Sequence, residues 1–316
     1  MDVLETVLLP LFGAIGVGVL AGRLKLFTED EVRVFSRFVF QLAMPIGVFA
    51  FMHTATPPGL AYAGLVMGYL AGLIAVVTLG LVFTRRVGGL TMNEAGAAVF
   101  AVACGNAVFF GLPIALAIPG WATPFLVLMV FEGSFAYAIG HALITWPTNE
   151  REEGAPGVQA WQSLRQACVR SLTNPIVLAV LLGMVVSSLG IRLPDGVGDA
   201  VGFFGQTASP MGLFVLGIYL TQLRSDDAVA HWKMLSLLVP LKLLVFPLVT
   251  GLMTYGLTQD SQLALVGAFI TSMPPAVSAM VMASTYRQWE AGTAALVGVG
   301  TILGLGTVTL FLAIVL

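Results

Sequence analysis

Two ionisable residues stand inside long apolar stretches of this chain: Glu132 in "LMVFEGSFAYAIGH" and Lys242 in "LVPLKLLVFP". A charge in hydrocarbon is costly, so such residues pair with one another, line a wet cavity or carry ions. Two roles are open for them. Either Glu132 takes up a proton or assists coupling while Lys242 balances charge beside an anion, or the residues are structural, as a Glu–Lys pair or by simple snorkelling to the interface. Two interrupted apolar helices add a different chemistry. Residues 101–120, "AVACGNAVFFGLPIALAIPG", contain Gly105–Asn106 and Gly111–Leu112–Pro113, and residues 268–284, "AFITSMPPAVSAMVMAS", contain Pro274–Pro275. Proline inside a helix removes a donor and clashes with the preceding turn, at a cost of about 3 kcal/mol or more. Half-helices starting after Pro113 and Pro275 would present free N–H groups and roughly half a positive charge each. Two such ends converging would hold an anion without any arginine. Asn106 can donate and accept, so it either contacts that anion or caps an exposed helix end. The candidate binding set is therefore Asn106, Gly111, Pro113, Pro274, Pro275 and Ser278, with Glu132 and Lys242 for coupling or charge balance.

The elements that must position these residues are set by composition. Of 316 residues, 58% are hydrophobic and 9% charged, with a mean hydropathy of +0.96. A soluble domain carries about 25% charged residues. The chain reads as an all-α protein that crosses a membrane many times. Its acidic start, "MDVLE", is unlike the basic start of a cleaved signal, so the following apolar run is taken as the first span. With about 20 apolar residues per crossing, ten spans are expected near 3–22, 34–53, 60–84, 95–118, 122–146, 172–191, 198–222, 234–257, 261–284 and 291–315. A polar linker, 147–171, with a short amphipathic helix near Trp161–Val169, separates a first five-span half, 1–146, from a second, 172–316. Cys104 and Cys168 read as small apolar fillers. His53, His141 and His231 read as interfacial or structural, and Trp146, Trp161, Trp232, Tyr286 and Trp289 as interface anchors.

Basic residues fix an orientation. Twelve of the 14 Lys and Arg residues fall on odd-numbered loops or their edges, leaving Arg192 on the other side and Lys242 within a span. By the positive-inside rule the odd loops are cytoplasmic and both termini lie outside, which suits a multi-pass protein of the cell (inner) membrane. A duplication is visible as well. "QLAMPIGVF" from Gln41 and "QTASPMGLF" from Gln206 share Gln, Ala, Pro, Gly and Phe in register, at an offset of 165. A repeat of five spans must re-enter the membrane upside down. Two inverted repeats place a transporter's site near the midplane, where broken helices from both halves meet. On this reading spans 4 and 9 are the broken, crossing pair, and Pro113 is the counterpart of Pro274.

At these residues the chain resembles a known family. "CGNAVFFGLPI" and "SMPPAVSAMVMASTY", with "NPIVLAVLLGMVVSSLGIRLP", "SPMGLFVLGIYL" and "LKLLVFPLV", are similar to segments of the auxin efflux carrier family. The resemblance runs over nearly the whole chain. It implies a ten-helix fold related to bile-acid sodium symporters, a scaffold of spans 1, 2, 6 and 7, and a moving domain of spans 3–5 and 8–10. It also implies a homodimer formed through the scaffold and, as in prokaryotic members, a carboxylate such as malate or malonate as substrate. Where that family commonly has Asn after the second proline motif, this chain has Ser278, which makes fewer hydrogen bonds.

The expected activity is secondary transport, or uniport, of a small organic anion by elevator-type alternating access. Its partners would be that anion, the lipid bilayer and a second copy of the chain, with no nucleic acid. No cofactor is expected beyond a coupling ion, H+ or Na+, and no phosphate-binding loop supports an ATP-driven mechanism. A sodium-coupled symporter of the bile-acid type is the alternative within this class. A membrane-embedded enzyme or receptor is the alternative outside it.

Overall fold

The computed structural model describes residues 9–54, 60–146, 175–221 and 225–315. The expected linker helix, Cys168 and Trp161 lie outside them. Among the described residues every regular element is helical, apart from one isolated antiparallel bridge between Gly105 and Pro275. Six helical runs are long and apolar enough to cross a membrane: Asp30–Met52, Leu60–Val87, Ala122–Ile144, Gly196–Thr221, Trp232–Thr258 and Glu290–Val315. Two shorter helices, Leu9–Arg23 and Pro175–Ser188, fall in the segments expected for spans 1 and 6. The segments expected for spans 4 and 9 are each split, into Met92–Ala103 and Ala107–Ala117, and into Ser261–Thr271 and Val277–Tyr286.

The chain divides into two compact units. The first takes Met1–Tyr62, Ala107–Val130 and Thr173–Gln222, and the second takes Ala63–Asn106, Phe131–Leu172 and Leu223–Leu316. Spans 1, 2, 6 and 7 all fall in the first unit, which also takes 107–130 from the helices around the first break.

Inside the first unit, small residues let backbones touch. Lipid tails are as apolar as leucine, so helices in a membrane associate through close packing rather than through exclusion of water. Leu9–Arg23 lies along Ala208–Thr221 with Gly18 against Gly217. Met44–Met52 packs on Pro175–Ser188 and on Asp195–Gly205, where Gly47 meets Gly205 and Gly183 meets Met52. The Glu29–Phe38 helix begins with a capping box, Thr28 and Glu31 satisfying each other's backbone N–H groups. It sets Phe35 edge-on to Phe27 and Phe214.

The second unit is built around a ladder. On Ala63–Val82 and just before the Ser261 helix, Gly68 and Gly72 face Thr254 and Thr250, and Gly64 faces Thr258, residues four apart on each of two antiparallel partners. Four-residue spacing keeps each set on one helix face, and a Cβ on any of these glycines would strike the opposing threonine. The helices carrying the break start cleanly. Thr91 and Glu94 form a second capping box ahead of Met92–Ala103, and Asp260 accepts from the N–H groups of Gln262 and Leu263 ahead of Ser261–Thr271. Asn93 donates to the carbonyls of Ile144 at 2.8 Å and Trp146 at 3.0 Å, closing the end of the Tyr137–Ile144 helix.

The Gly18–Gly217 contact yields a stability test. A Cβ at Gly217 would lie 2.8 Å from the Val19 nitrogen and 2.9 Å from the Gly18 Cα, whereas one at Gly13 would meet nothing within 4 Å. Gly217→Ala is expected to lower stability by about 1–3 kcal/mol, the usual cost of overpacking. Gly13→Ala should leave the thermal midpoint of the detergent-solubilised protein unchanged or raised.

Candidate functional site

Why the second unit tolerates two broken helices follows from its backbone hydrogen bonds. Met92–Ala103 stops where Cys104 turns extended, with φ −99° and ψ 119°. Ser261–Thr271 stops before Pro274–Pro275, and the chain stays extended at Ala276, φ −74° and ψ 143°, before Val277–Tyr286 begins. The two extended pieces run antiparallel and bond to each other. The Asn106 N–H donates to the Pro274 carbonyl at 2.7 Å, and the Ala276 N–H donates to the Cys104 carbonyl at 3.1 Å. Pro274 and Pro275 have no N–H to leave unsatisfied. A pair of prolines is thus a residue choice that brings an extended segment into a dry interior without creating orphan donors.

One donor at the break goes to a side chain. The Gly105 N–H donates to Glu132 Oε1 at 2.6 Å, in a buried setting. An unsatisfied buried N–H costs about 1–3 kcal/mol, and a bond to an ionised acceptor is roughly twice as strong as a neutral one. Glu132 opens the π turn Glu132–Ala136, and Lys242 sits in the π turn Leu241–Val245. Such single π turns inside α-helices are frequent at functional sites.

Lys242 is fully buried, at 0% exposure, and its Nζ has no hydrogen-bond partner among the described residues. It does not snorkel. A Cβ built on Gly105 would lie 3.2 Å from Lys242 Nζ and 3.2 Å from Glu132 Oε1, so both ionisable side chains border Gly105. They still make no direct bridge within the 4.0 Å that defines one. The Phe246 ring, with its centroid 5.0 Å from Nζ, offers its face to the ammonium.

The remaining sequence-chosen residues divide. Asn106 is 4% exposed, and its side-chain amide makes no hydrogen bond to the described residues, its backbone N–H doing the pairing instead. Ser278 lies in the first turn of Val277–Tyr286, with its Oγ 3.9 Å from Cys104 Sγ. That helix has no side-chain N-cap, so its leading N–H groups are not capped by a side chain. Asn106, Pro274, Pro275, Ser278, Glu132 and Lys242 all belong to the second unit. Gly111 and Pro113 belong to the first, and the break expected there is absent. Gly111 is helical at φ −72° and ψ −44°, ending the π turn Ala107–Gly111, and Pro113 sits in the first turn of Leu112–Ala117. The run Ala107–Ala117 stays helical through it, and the Phe109 carbonyl four residues before Pro113 accepts instead from the Ser209 hydroxyl at 2.9 Å. The partner of Pro274–Pro275 is Gly105–Asn106.

The three histidines have hydrogen-bond partners, two on their own helical turn and one far along the chain. His53 Nδ1 is 3.2 Å from the Phe49 carbonyl, His231 Nδ1 is 2.8 Å from the Asp227 carbonyl, and His141 Nε2 is 2.8 Å from the Tyr286 hydroxyl.

Residues 3–312 match the family described as "Membrane transport protein". The chain belongs to this family. Its members include the auxin efflux carriers, and the protein is accordingly a multi-pass membrane transporter. It is similar to a Rhizobium meliloti (strain 1021) protein named "Putative malonate transporter", with 25% identity over 308 residues, 95% of this chain and 92% of that one. It is also similar to the "Uncharacterized transporter YfdV" of Escherichia coli (strain K12), with 24% identity over 302 residues, 92% of this chain and 90% of that one.

Two residues of this transporter escaped sequence reasoning. Gly300 and Gly304, four apart on Glu290–Val315, face the rings of Pro275 and Pro274. A Cβ would come within 2.7 Å of Pro275 Cγ at Gly300 and within 2.8 Å of Pro274 Cγ at Gly304. The signal was in the sequence as "GVGTILGLG", but it is hard to single out among 36 glycines. Gly304→Val is expected to push Pro274 out of register. Uptake of the transported substrate should then fall at least tenfold while the purified protein still elutes as a single species. Gly306→Val, at a position with nothing within 4 Å of a Cβ, should leave uptake intact.

Proposed function

We propose that this transporter carries a small organic anion, a carboxylate, and binds it at the paired helix breaks of the second unit. The observation that carries the proposal is Lys242, whose buried ammonium borders Gly105 and has no hydrogen-bond partner among the described residues. Burying an unpaired charge costs several kcal/mol, and an anion that brings its own negative charge to that place offsets the cost. Asn106 supplies a donor and acceptor for a carboxylate. The N-terminus of Val277–Tyr286, with Ser278 in its first turn, adds free N–H groups and partial positive charge. Pro274 and Pro275 shape the backbone around the ligand. The name of the Rhizobium relative makes malonate the first compound to try.

The wider reading is a ten-span protein of two inverted five-span repeats, 1–146 and 172–316, joined by a cytoplasmic linker, with both termini outside the inner membrane. It works by elevator-type alternating access as a dimer formed through spans 1, 2, 6 and 7. The shared Gln-x-Ala-x-Pro-x-Gly-x-Phe block, the bias of basic residues and the grouping of those four spans in one compact unit support it.

Proteoliposomes test the substrate and its driving force together. Wild-type protein is expected to take up labelled malonate or another small carboxylate, and an imposed H+ or Na+ gradient that drives accumulation names the coupling ion. Lys242→Met should reduce uptake at least tenfold, and Asn106→Ala should raise the half-saturating concentration at least as strongly. No flux of any mono- or dicarboxylate would overturn the proposal. Single cysteines at positions 86 and 192, in a background without Cys104 and Cys168, test orientation. The first should react with impermeant maleimide only in inverted vesicles, the second only in intact cells.

A further inference from the structure

The break needs a mechanical part that the binding role of Lys242 does not supply. Beyond Cys104, whose N–H is still taken by its own helix at the Phe100 carbonyl, three backbone N–H groups lie in its extended segments outside the prolines: those of Gly105, Asn106 and Ala276. Two of them are satisfied across the pair, by the Pro274 and Cys104 carbonyls. The third, on Gly105, points away from the partner strand and is taken by Glu132 Oε1 at 2.6 Å. Glu132 is 4% exposed, and its carboxylate reaches Gly105 from a different helix, 27 residues further along the chain.

We propose that Glu132 is a positioning residue, a latch whose carboxylate oxygen holds Gly105 and thereby fixes the side chain of Asn106 toward the anion. For its purpose this rests on the reading of the break as the binding site. Its physical content, that reach and acceptance rather than titration are what Glu132 contributes, stands apart from that reading. A glycine is required at 105 because the latch is tight: a Cβ there would sit 3.0 Å from Met273 Cβ and 3.2 Å from both Glu132 Oε1 and Lys242 Nζ. The latched geometry also keeps the neighbouring Cys104 covered, at 3% exposure, with its Sγ beside Ser278 Oγ. Cys104 therefore reports on whether the break is closed, with no substrate needed.

The experiment uses full-length protein in nanodiscs with Cys168→Ser, and follows the rate at which a small maleimide labels Cys104. Glu132→Gln keeps an acceptor oxygen at the same reach and drops the charge, so labelling should stay within threefold of wild type. Glu132→Asp keeps the charge and withdraws the oxygen by one methylene, so labelling should quicken at least tenfold, as in Glu132→Ala. The opposite order, Gln exposing Cys104 and Asp protecting it, would mean that charge rather than reach closes the break and would overturn the latch. Equal protection in all three variants would overturn it as well. Malonate uptake, read on the same preparations, separates the two ideas. In a protein that transports, Glu132→Gln should retain the wild-type response of uptake to an imposed proton gradient. A wild type that shows no flux yet gives the predicted labelling order would sink the substrate reading and leave the latch standing.

Discussion

A peptide group in the core of a bilayer has no water to bond with, and this dominates the second unit. An unbroken helix meets the demand by bonding to itself. Two broken helices meet it by bonding to each other, through Asn106 with Pro274 and Ala276 with Cys104. Neither break is satisfiable alone. From that mutual dependence follow the double proline, which carries no donors to satisfy, the carboxylate that takes up the one N–H left over, and the glycines that make room for the proline rings.

Polarity then arrives at the centre of an apolar fold as a by-product of backbone geometry. A helix start without a side-chain cap, an Asn106 carboxamide with no hydrogen bond to the described residues and a buried Lys242 belong to the same unit. The charges are neither fused into an ion pair nor independent, since both border Gly105. A close pair would neutralise Lys242 and leave little for a ligand. Separation beyond bridging distance, with Glu132 occupied by a backbone donor, leaves the ammonium electrostatically available. The Gly–Thr ladder between two helices of the unit supplies a stiff frame for this arrangement. At Gly68 and Gly72 the Thr254 and Thr250 hydroxyls fill the place a Cβ would take, an approach that suits the weak Cα–H···O contacts of tightly packed helices.

Much of this was legible in the residues, and the reasons are specific. Apolar length located the helices, because a 20-residue crossing leaves an unmistakable run, and Pro274–Pro275 announced a break because the loss of two donors is written in the residue type. Gly111–Leu112–Pro113 misled for the same reason. Proline signals a missing donor but not whether the helix must break there, and at Pro113 the Ser209 hydroxyl takes the Phe109 carbonyl in its place and the helix runs on. The real partner, Gly105–Asn106, contains no proline and is defined by a bond to a segment far away in sequence. Glu132 stood out as a buried charge, yet its role depends on which N–H it meets, and spacing carries no such information.

Donor-free pairing at the break has a consequence for how its motions can be observed. Exchange of backbone amides with solvent is the usual gauge of local opening, and the two residues at the heart of the second break have no amide hydrogen to exchange. Their opening is recorded instead in the hydrogens of Gly105 and Asn106 on the facing segment and of Ala276 just after the prolines, two of which are held by carbonyls across the pair and one by a carboxylate. Three protons thus report on the whole crossing, and differences among their exchange rates would distinguish separation of the strands from release of the carboxylate.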